Sequence, residues 1–409
     1  MNDTKRKAVV LWLSGACLAD MRTIAEVERL SGRSAAVELI PAPITNTQSL
    51  SYQLVTGRRP ERFGFFDTLV LHGYTVVEDF QGRDSAPASF ADLLSAAGWA
   101  VKHKELTIDE LVECVRSWAQ ADHTTASCLM VKCALSPNIT KQISASLAAA
   151  LRTARTAVGD MGLLAIISDG RPAPIRKFVN INNFLAEMGI IERKEQDGSI
   201  DWSNTLAHYM GHGQIWINLQ GRDAQGIVNH QDEYEEVSET LVKALPIKVR
   251  DPQTGEAVIE CVYRKEELYQ SDYLFCAPDL IVVFKPGYIP SANSTKLGFD
   301  DAAFTPAPAG TLAIDGAHPT SVNGFLLASA PAFVQGRVLS EPVPLTTVVP
   351  TLLHALEVNY GAMEDTALKE FFVPYYLDLH PIKEIDDQQV LSDEEEELVI
   401  NRLRDLGYI

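Results

Sequence analysis

The chain has 409 residues, a formal net charge of -19 and a pI near 4.9. An acidic surface repels polyphosphate, and no Lys/Arg-rich run interrupts it, so we expect neither a nucleic-acid nor an anionic-membrane partner. The six cysteines are scattered without a CxxC pair of metal-site spacing, which indicates free thiols in a reducing compartment. We therefore expect a cytoplasmic protein.

The first structured segment follows three basic residues. Lys5, Arg6 and Lys7 precede the run AVVLWLSGACLA, an order that signal peptides also have. A short apolar run ended by a turn at Ser14-Gly15 equally fits a parallel strand buried on both faces, and this is the interpretation that we adopt. Since no uninterrupted apolar stretch is long enough to cross a bilayer, we expect no membrane association.

Strand and helix patterns alternate along the rest of the chain. Predicted strands after the first lie at 68–77, 127–135, 162–168, 279–284 and 324–329, and predicted helices lie at 20–30, 90–97, 108–118, 143–158, 178–189, 233–245 and 348–356. This alternation predicts an α/β fold with a mainly parallel central sheet flanked by helices.

The composition becomes more polar after the predicted strand at 162–168 and the loop that follows it. We therefore predict an α/β core at 1–178 and 274–380, interrupted by a cap or insertion at 179–273. The segment 381–409 has the pattern of an acidic amphipathic helix. The sequence leaves the oligomeric state open, a homo-oligomer included.

A Pro-bounded, hydroxyl-rich loop at 41–49 leads into a helix that Gly57 ends. Hydroxyl groups at a helix N-terminus lie beside unpaired backbone N–H groups. Such a turn can cap its own helix, or it can hold an anion against a Ser or Thr oxygen. The spacing alone favours the cap.

These segments, in this order, resemble the alkaline phosphatase superfamily and, within it, the phosphodiesterase and nucleotide pyrophosphatase-like branch. TNTQSLSYQLVTGRRPERFGFFD is similar to that branch's nucleophile loop and helix, with Thr47 at the nucleophile position. ISDGRPAPIRKFVNINNFLAEMGII resembles its SDHGFGP strand end and the helix that follows, and APDLIVVFKPGY and RLRDLGY resemble later signatures. The resemblance covers nearly the whole chain and implies that superfamily's α/β core and cap.

The resemblance also implies two zinc-like ions, held by six ligands, that activate a Thr or Ser nucleophile and polarise the phosphoryl oxygen. Four ligand positions carry other residues here, namely Ser14, Asn138, Gln142 and Gly170. Asp169 and His318 match the remaining two positions. Catalytic zinc usually has three protein ligands, so the resemblance implies at most one weakly held divalent metal at Asp169 and His318 and no other cofactor.

Each candidate site residue has a second interpretation. Thr47 is a retained nucleophile or only a helix N-cap, and without a metal its hydroxyl needs a general base. His318 is the candidate base or a loop-packing histidine. Asp169 orients His318, as a carboxylate orients imidazole in a triad, or it hydrogen-bonds its own turn.

Other residues have a spacing or position that also suits metal or anion chemistry, although a purely structural role is the favoured interpretation of each. His208 and His212 have helical i,i+4 spacing, but the resemblance places a loop and a strand there. Cys17 starts a helix, where a thiolate is stabilised. Arg171 and Arg176 follow a strand end, where they can meet an anion or remain solvated.

Two functions follow for the chain. The first is a repurposed enzyme, transferase- or hydrolase-like, that binds an anionic small molecule and performs group transfer or elimination around Thr47, with His318 and Asp169, without the two-metal site. The alternative is a non-catalytic binding or scaffold homologue, favoured by the replaced ligands and by Leu50, where that branch has a phosphate-holding Asn. A metal-dependent phosphodiesterase or pyrophosphatase is a distant third. The sequence leaves open whether the chain is an enzyme.

Overall fold

The structure is a computed structural model that describes residues 6–40, 47–78, 87–135, 141–172, 174–312, 323–361 and 363–382. The strands in these ranges are β1 Lys7–Ser14, β2 Ala35–Ile40, β3 Leu69–His72, β4 Thr75–Glu78, β5 Ala100–Leu106, β6 Ser127–Ala134, β7 Leu163–Ser168, β8 Lys177–Val179, β9 Ala207–Met210, β10 Gln214–Ile217, β11 Ile259–Arg264, β12 Leu280–Phe284, β13 Tyr288–Pro290, β14 Phe304–Pro306, β15 Gly324–Ser329 and β16 Val343–Pro344. The helices are α1 Leu18–Arg22, α2 Ala25–Ser31, α3 Thr47–Thr56, α4 Phe90–Ala96, α5 Ile108–Gln120, α6 Lys141–Val158, α7 Ile181–Glu187, α8 Asp232–Lys248, α9 Lys265–Leu268, α10 Val348–Ala355 and α11 Pro374–Leu379.

The central sheet has the strand order β16-β2-β15-β7-β1-β6-β5. Strand β15 runs antiparallel to both of its neighbours, and the other pairs in this sheet are parallel. The predicted α/β fold with a mainly parallel central sheet is therefore confirmed. The predicted helix at 381–409 lies outside the described residues, except for its first two positions.

The apolar run of β1 explains why this strand lies at the centre. Its alternate residues Ala8, Val10 and Trp12 pack under α3, α4 and α10 on one face of the sheet. Its other residues, such as Val9 and Leu11, pack under α2, α5 and α6 on the opposite face. Because helices cover both faces, no position of the strand favours a polar side chain, and the sequence is continuously apolar.

A second, antiparallel sheet has the order β11-β12-β10-β9 and packs against α7 and α8. Strand β12 comes from beyond residue 273 and pairs with β10 and β11. The domain boundaries drawn from composition stay a prediction. Among the described helices, none combines the length and the apolar character needed to cross a membrane.

Several segments differ from the sequence-based expectation. The strands β2 and β5 of the central sheet were not predicted, and residues 178 and 179, predicted as the start of a helix, belong to β8. The segment 68–77 contains the hairpin β3–β4 instead of one strand, because Gly73 at φ +60 permits a tight turn between His72 and Thr75. The helical pattern at 20–30 divides into α1 and α2, and the amide of Thr23 closes the end of the first helix on Asp20.

Helix α3 ends at Gly57, as its sequence predicts. Gly57 has φ +66, and its amide donates to the Gln53 carbonyl at 2.9 Å. A Cβ at this position would lie 2.8 Å from Val349 Cβ of α10. The absence of a side chain thus lets the chain adopt the left-handed conformation that ends α3 while α10 packs closely against this end.

We predict that Gly57→Ala lowers the free energy of unfolding by about 2–4 kcal/mol, since backbone strain and overlap with Val349 both contribute. Gly73→Ala is the matched control. Its φ is also positive, but its added Cβ meets no atom within 4 Å, so we expect a loss of about 1 kcal/mol. Urea unfolding followed by circular dichroism measures both values. Equal losses would contradict the contribution that we assign to overlap with Val349.

Candidate functional site

The carboxyl ends of β1 and β7 meet at one edge of the central sheet. The Ser14 hydroxyl donates to Asp169 Oδ2 at 2.7 Å, and the Gly15 amide donates to Asp169 Oδ1 at 3.1 Å. Asp169 is 6% exposed. Burial raises the pKa of the Asp169 carboxyl, while the bonds from Ser14 and Gly15 partly oppose that rise. The two strand ends are therefore tied together through one buried carboxyl group.

These contacts bear on the metal centre that the resemblance implies. Ser14 offers a neutral hydroxyl that donates a hydrogen bond to Asp169, where the family pattern has a second carboxylate ligand. Gln142 instead donates to Asp109 Oδ1 at 3.5 Å on the exposed surface. Within the described ranges, no three His, Cys, Asp or Glu residues group as a metal site. The donor set that is described does not fit a two-metal centre.

The structure places only part of the predicted catalytic group. Thr47 is the first residue of α3, one helical turn before Ser51, and its side chain is outside the described part of the chain. His318 and Asn138 lie outside the described residues. The convergence of Thr47, Asp169 and His318 therefore stays a prediction.

A cavity of about 1470 Å³ lies beside α3 and β6. Ser51 and Lys132 line it from these two elements, the hairpin β3–β4 forms a further wall, and the segments 193–202 and 295–299 complete it. Ser14 and Asp169 do not belong to the lining that the described residues form.

The charge of this lining is opposite to that of the chain. Lys132, Arg193, Lys194 and Lys296 line the cavity, and Asp197 is the single carboxylate among the described lining residues. The chain as a whole has a net charge of -19. Because low-dielectric walls focus the field inside a cavity, such a lining attracts small anions.

Lys132 is a site residue that sequence reasoning missed. In the strand register it lies between Trp12 of β1 and Glu105 of β5. Its ammonium lies 4.7 Å from the centroid of the Trp12 ring and 3.3 Å from Glu105 Oε1. Its charge also contributes a small lowering of the Asp169 pKa. In the sequence, the indication of this residue was one lysine within the largely apolar run SCLMVKCA.

Aromatic side chains form another part of the cavity wall. Tyr74 of the β3–β4 turn stacks on Trp202, with ring centroids 3.9 Å apart and planes at 10°. Both residues line the cavity, and Phe299 lines it near Arg193. The Arg193 guanidinium lies 4.2 Å from the centroid of the Phe299 ring. The cavity therefore combines cationic groups with flat apolar surfaces.

The two histidines with i,i+4 spacing are not on a helix. His208 lies in β9 and is fully buried against Trp202, and neither of its ring nitrogens has a hydrogen-bond partner among the described residues. Burial lowers the pKa of His208 to about 3. His212 follows β9, lines the cavity and has Nδ1 at 2.7 Å from Asp67 Oδ1. The strand at His208 agrees with the resemblance, which places a loop and a strand in this segment and no helix.

The remaining candidates have local partners. Cys17 caps α1, with its Sγ accepting from the Asp20 amide at 3.5 Å, but burial raises the pKa of the Cys17 thiol. Burial thus outweighs the stabilisation that the Asp20 amide gives a thiolate, in agreement with the structural interpretation favoured for Cys17. Arg171 pairs with Asp20 at 2.5 Å, and Arg176 pairs with Glu256 at 3.4 Å.

Comparison with known proteins gives a fold but no family. No family model and no curated protein matches the chain. An inactive variant of murine ectonucleotide pyrophosphatase/phosphodiesterase 5 (ENPP5, NPP5) in complex with AMP is similar, with a TM-score of 0.57 and 12% identity over 90% of this chain and 100% of that chain. Another structure of murine ENPP5 gives a TM-score of 0.54 and 13% identity over 88% of this chain and 97% of that chain. At this identity the likeness shows that the two proteins share a fold.

We predict that Ser14→Ala lowers the free energy of unfolding by about 1–3 kcal/mol at pH 8, because it removes a donor from the buried Asp169 carboxylate. The raised pKa of Asp169 means that its protonated form suits the folded state. The contribution of Asp169 to the free energy of unfolding is full at pH values below the pKa that its carboxyl group has in the unfolded chain. This contribution is lost as the pH rises through the pKa of the same group in the folded state. Ser14→Ala raises that pKa further, so its cost should be smaller at pH 4 than at pH 8.

Urea unfolding at both pH values measures this cost. The control is Ser14→Ala in an Asp169→Asn background, where no carboxyl group remains at position 169 and the cost should not depend on pH. An equal cost at both pH values in the wild-type background would contradict the role of the Asp169 charge.

Proposed function

We propose that this chain binds a small anionic molecule, in the first place a phosphate ester, in the cavity beside α3 and β6, with side-chain cations in place of a two-metal centre. The observation that carries the proposal is the inverted charge of the lining, with four Lys/Arg residues against one carboxylate in a chain of net charge -19. The AMP held by the variant of ENPP5, which has the same fold, supports a phosphate-bearing ligand.

The reaction that we propose is metal-independent group transfer at Thr47. Ser51, one helical turn after Thr47, lines the cavity, which supports this end of α3 as the reacting part of the site. In a phosphoryl transfer, the Thr47 oxygen bonds to phosphorus while the bond from phosphorus to the leaving oxygen breaks. His318 takes the proton of Thr47, and the leaving oxygen gains a proton from water. The hydroxide so formed then bonds to phosphorus while the bond from phosphorus to the Thr47 oxygen breaks, and His318 returns the proton to Thr47. Asp169 keeps the role of orienting His318.

A binding or scaffold protein without turnover is the second candidate. It is favoured by the state of Asp169, both of whose oxygens already accept hydrogen bonds from the end of β1. A carboxyl group in this position stabilises the sheet edge, whether or not any reaction occurs. Binding of the anion is common to both candidates, and turnover separates them.

The first test is calorimetric titration of the full chain with AMP and with adenosine. We expect AMP to bind and adenosine to bind at least about tenfold more weakly, since only AMP offers charge to the cationic lining. EDTA should leave the affinity for AMP unchanged, and metal analysis should find less than one tightly bound zinc per chain. Equal affinities for the two ligands would contradict the proposal, and two ions at full occupancy would contradict its metal independence.

The second test is turnover of a panel of phosphate and sulfate mono- and diesters by Thr47→Ala and Thr47→Ser variants. We expect Thr47→Ala to lose more than about 10³-fold in kcat, because it removes the attacking oxygen, and to keep the wild-type affinity for AMP. Thr47→Ser keeps a hydroxyl and should retain part of the rate. Unchanged turnover in Thr47→Ala excludes Thr47 from the reaction, and wild-type binding without turnover of any ester favours the second candidate.

A further inference from the structure

Lys132 is a cation built into the central sheet. The strand β6 is buried at most of its positions, and Cys128 and Met130 on the same face belong to the apolar core under α3, α4 and α10. The Lys132 side chain is 22% exposed. A charged group at such a position loses hydration, so an apolar residue would suit the fold better unless the ammonium meets an anion.

The neighbours of Lys132 position its ammonium group but neutralise its charge only weakly. The Trp12 ring beneath it offers its negative face, at 4.7 Å from the ammonium. The Glu105 side chain, at 3.3 Å, is 72% exposed. An ion pair with so exposed a carboxylate is screened by water and salt, and it exchanges readily for another anion.

Because Lys132 lines the cavity, an anionic ligand in the cavity can take the place of Glu105. Lys132 lines the cavity from the sheet, Ser51 lines it from α3, and Arg193, Lys194 and Lys296 line it from the segments after β7. An anion in the cavity can therefore meet a fixed ammonium on the sheet side. An ammonium is a compact charge with three donors, which suits the oxygens of a phosphate or sulfate group.

We propose that Lys132 is the residue that binds the anionic group of the ligand, with Trp12 positioning its ammonium and Glu105 acting as the internal anion that the ligand displaces. The inference rests on the proposed function and adds to it the residue that recognises the charge. Glu105 then sets the affinity, because every ligand must compete with it.

The test is calorimetric titration of the full chain with inorganic phosphate and with AMP. Lys132→Met should weaken binding of both by about tenfold or more, because a charge-assisted hydrogen bond is lost. Lys102→Met is the matched control, since Lys102 is an exposed residue of β5 outside the cavity lining and its loss changes the net charge equally. We expect Lys102→Met to bind within about twofold of wild type.

Glu105→Gln should strengthen binding by about two- to fivefold, because the competing charge is removed. The gain should vanish in the double variant Lys132→Met/Glu105→Gln. Equal losses in Lys132→Met and Lys102→Met would overturn the proposal, as would unchanged or weaker binding by Glu105→Gln. If Lys132→Met does not fold by circular dichroism, the Glu105→Gln titration decides. A wild-type chain that binds neither phosphate nor AMP would instead refute the proposed function.

Discussion

The parallel register of β6, β1 and β7 is the constraint on which the rest of the site depends. It places Trp12 opposite both Lys132 and Ile167, so that the residues following these strands meet at one edge. Ser14 and Asp169 then come within hydrogen-bond distance although 155 positions separate them in the chain. The same register sets Lys132 beside the Trp12 ring. A slip of one residue would turn each of these side chains to the opposite face of the sheet.

The charge of the cavity lining differs in sign from the net charge of the chain. The chain is strongly acidic, yet the cavity beside α3 is lined mainly by cations. Charge of one sign on the general surface and of the other sign inside a cavity favours small anions that can enter, and it disfavours polyanions that must approach the whole surface. The charge pattern thus supports the small anionic ligand that we propose.

A shared fold does not carry a shared chemistry. The chain has the fold of ENPP5 at 12% identity, and the groups at a site decide what it does. Here a neutral serine hydroxyl donates to the buried Asp169, where the superfamily pattern has two acidic ligands. Through this hydrogen bond, Asp169 joins the ends of β1 and β7 at the sheet edge. In the function that we propose, the cations of the cavity, with Lys132 on the sheet side, offer the positive charge that metal ions supply in that pattern.

The sequence by itself determined the α/β class with a mainly parallel central sheet, the end of α3 at Gly57 and the position of Asp169 after β7, because apolar periodicity and glycine turns are local properties of the chain. Only the tertiary structure decided that Lys132 faces a cavity, that 68–77 forms a hairpin and that His208 is buried against Trp202. Period-two spacing gives the face on which Lys132 lies, but not what covers that face. That depends on the register between strands distant in sequence and on the segments that fold over them, which no local pattern encodes.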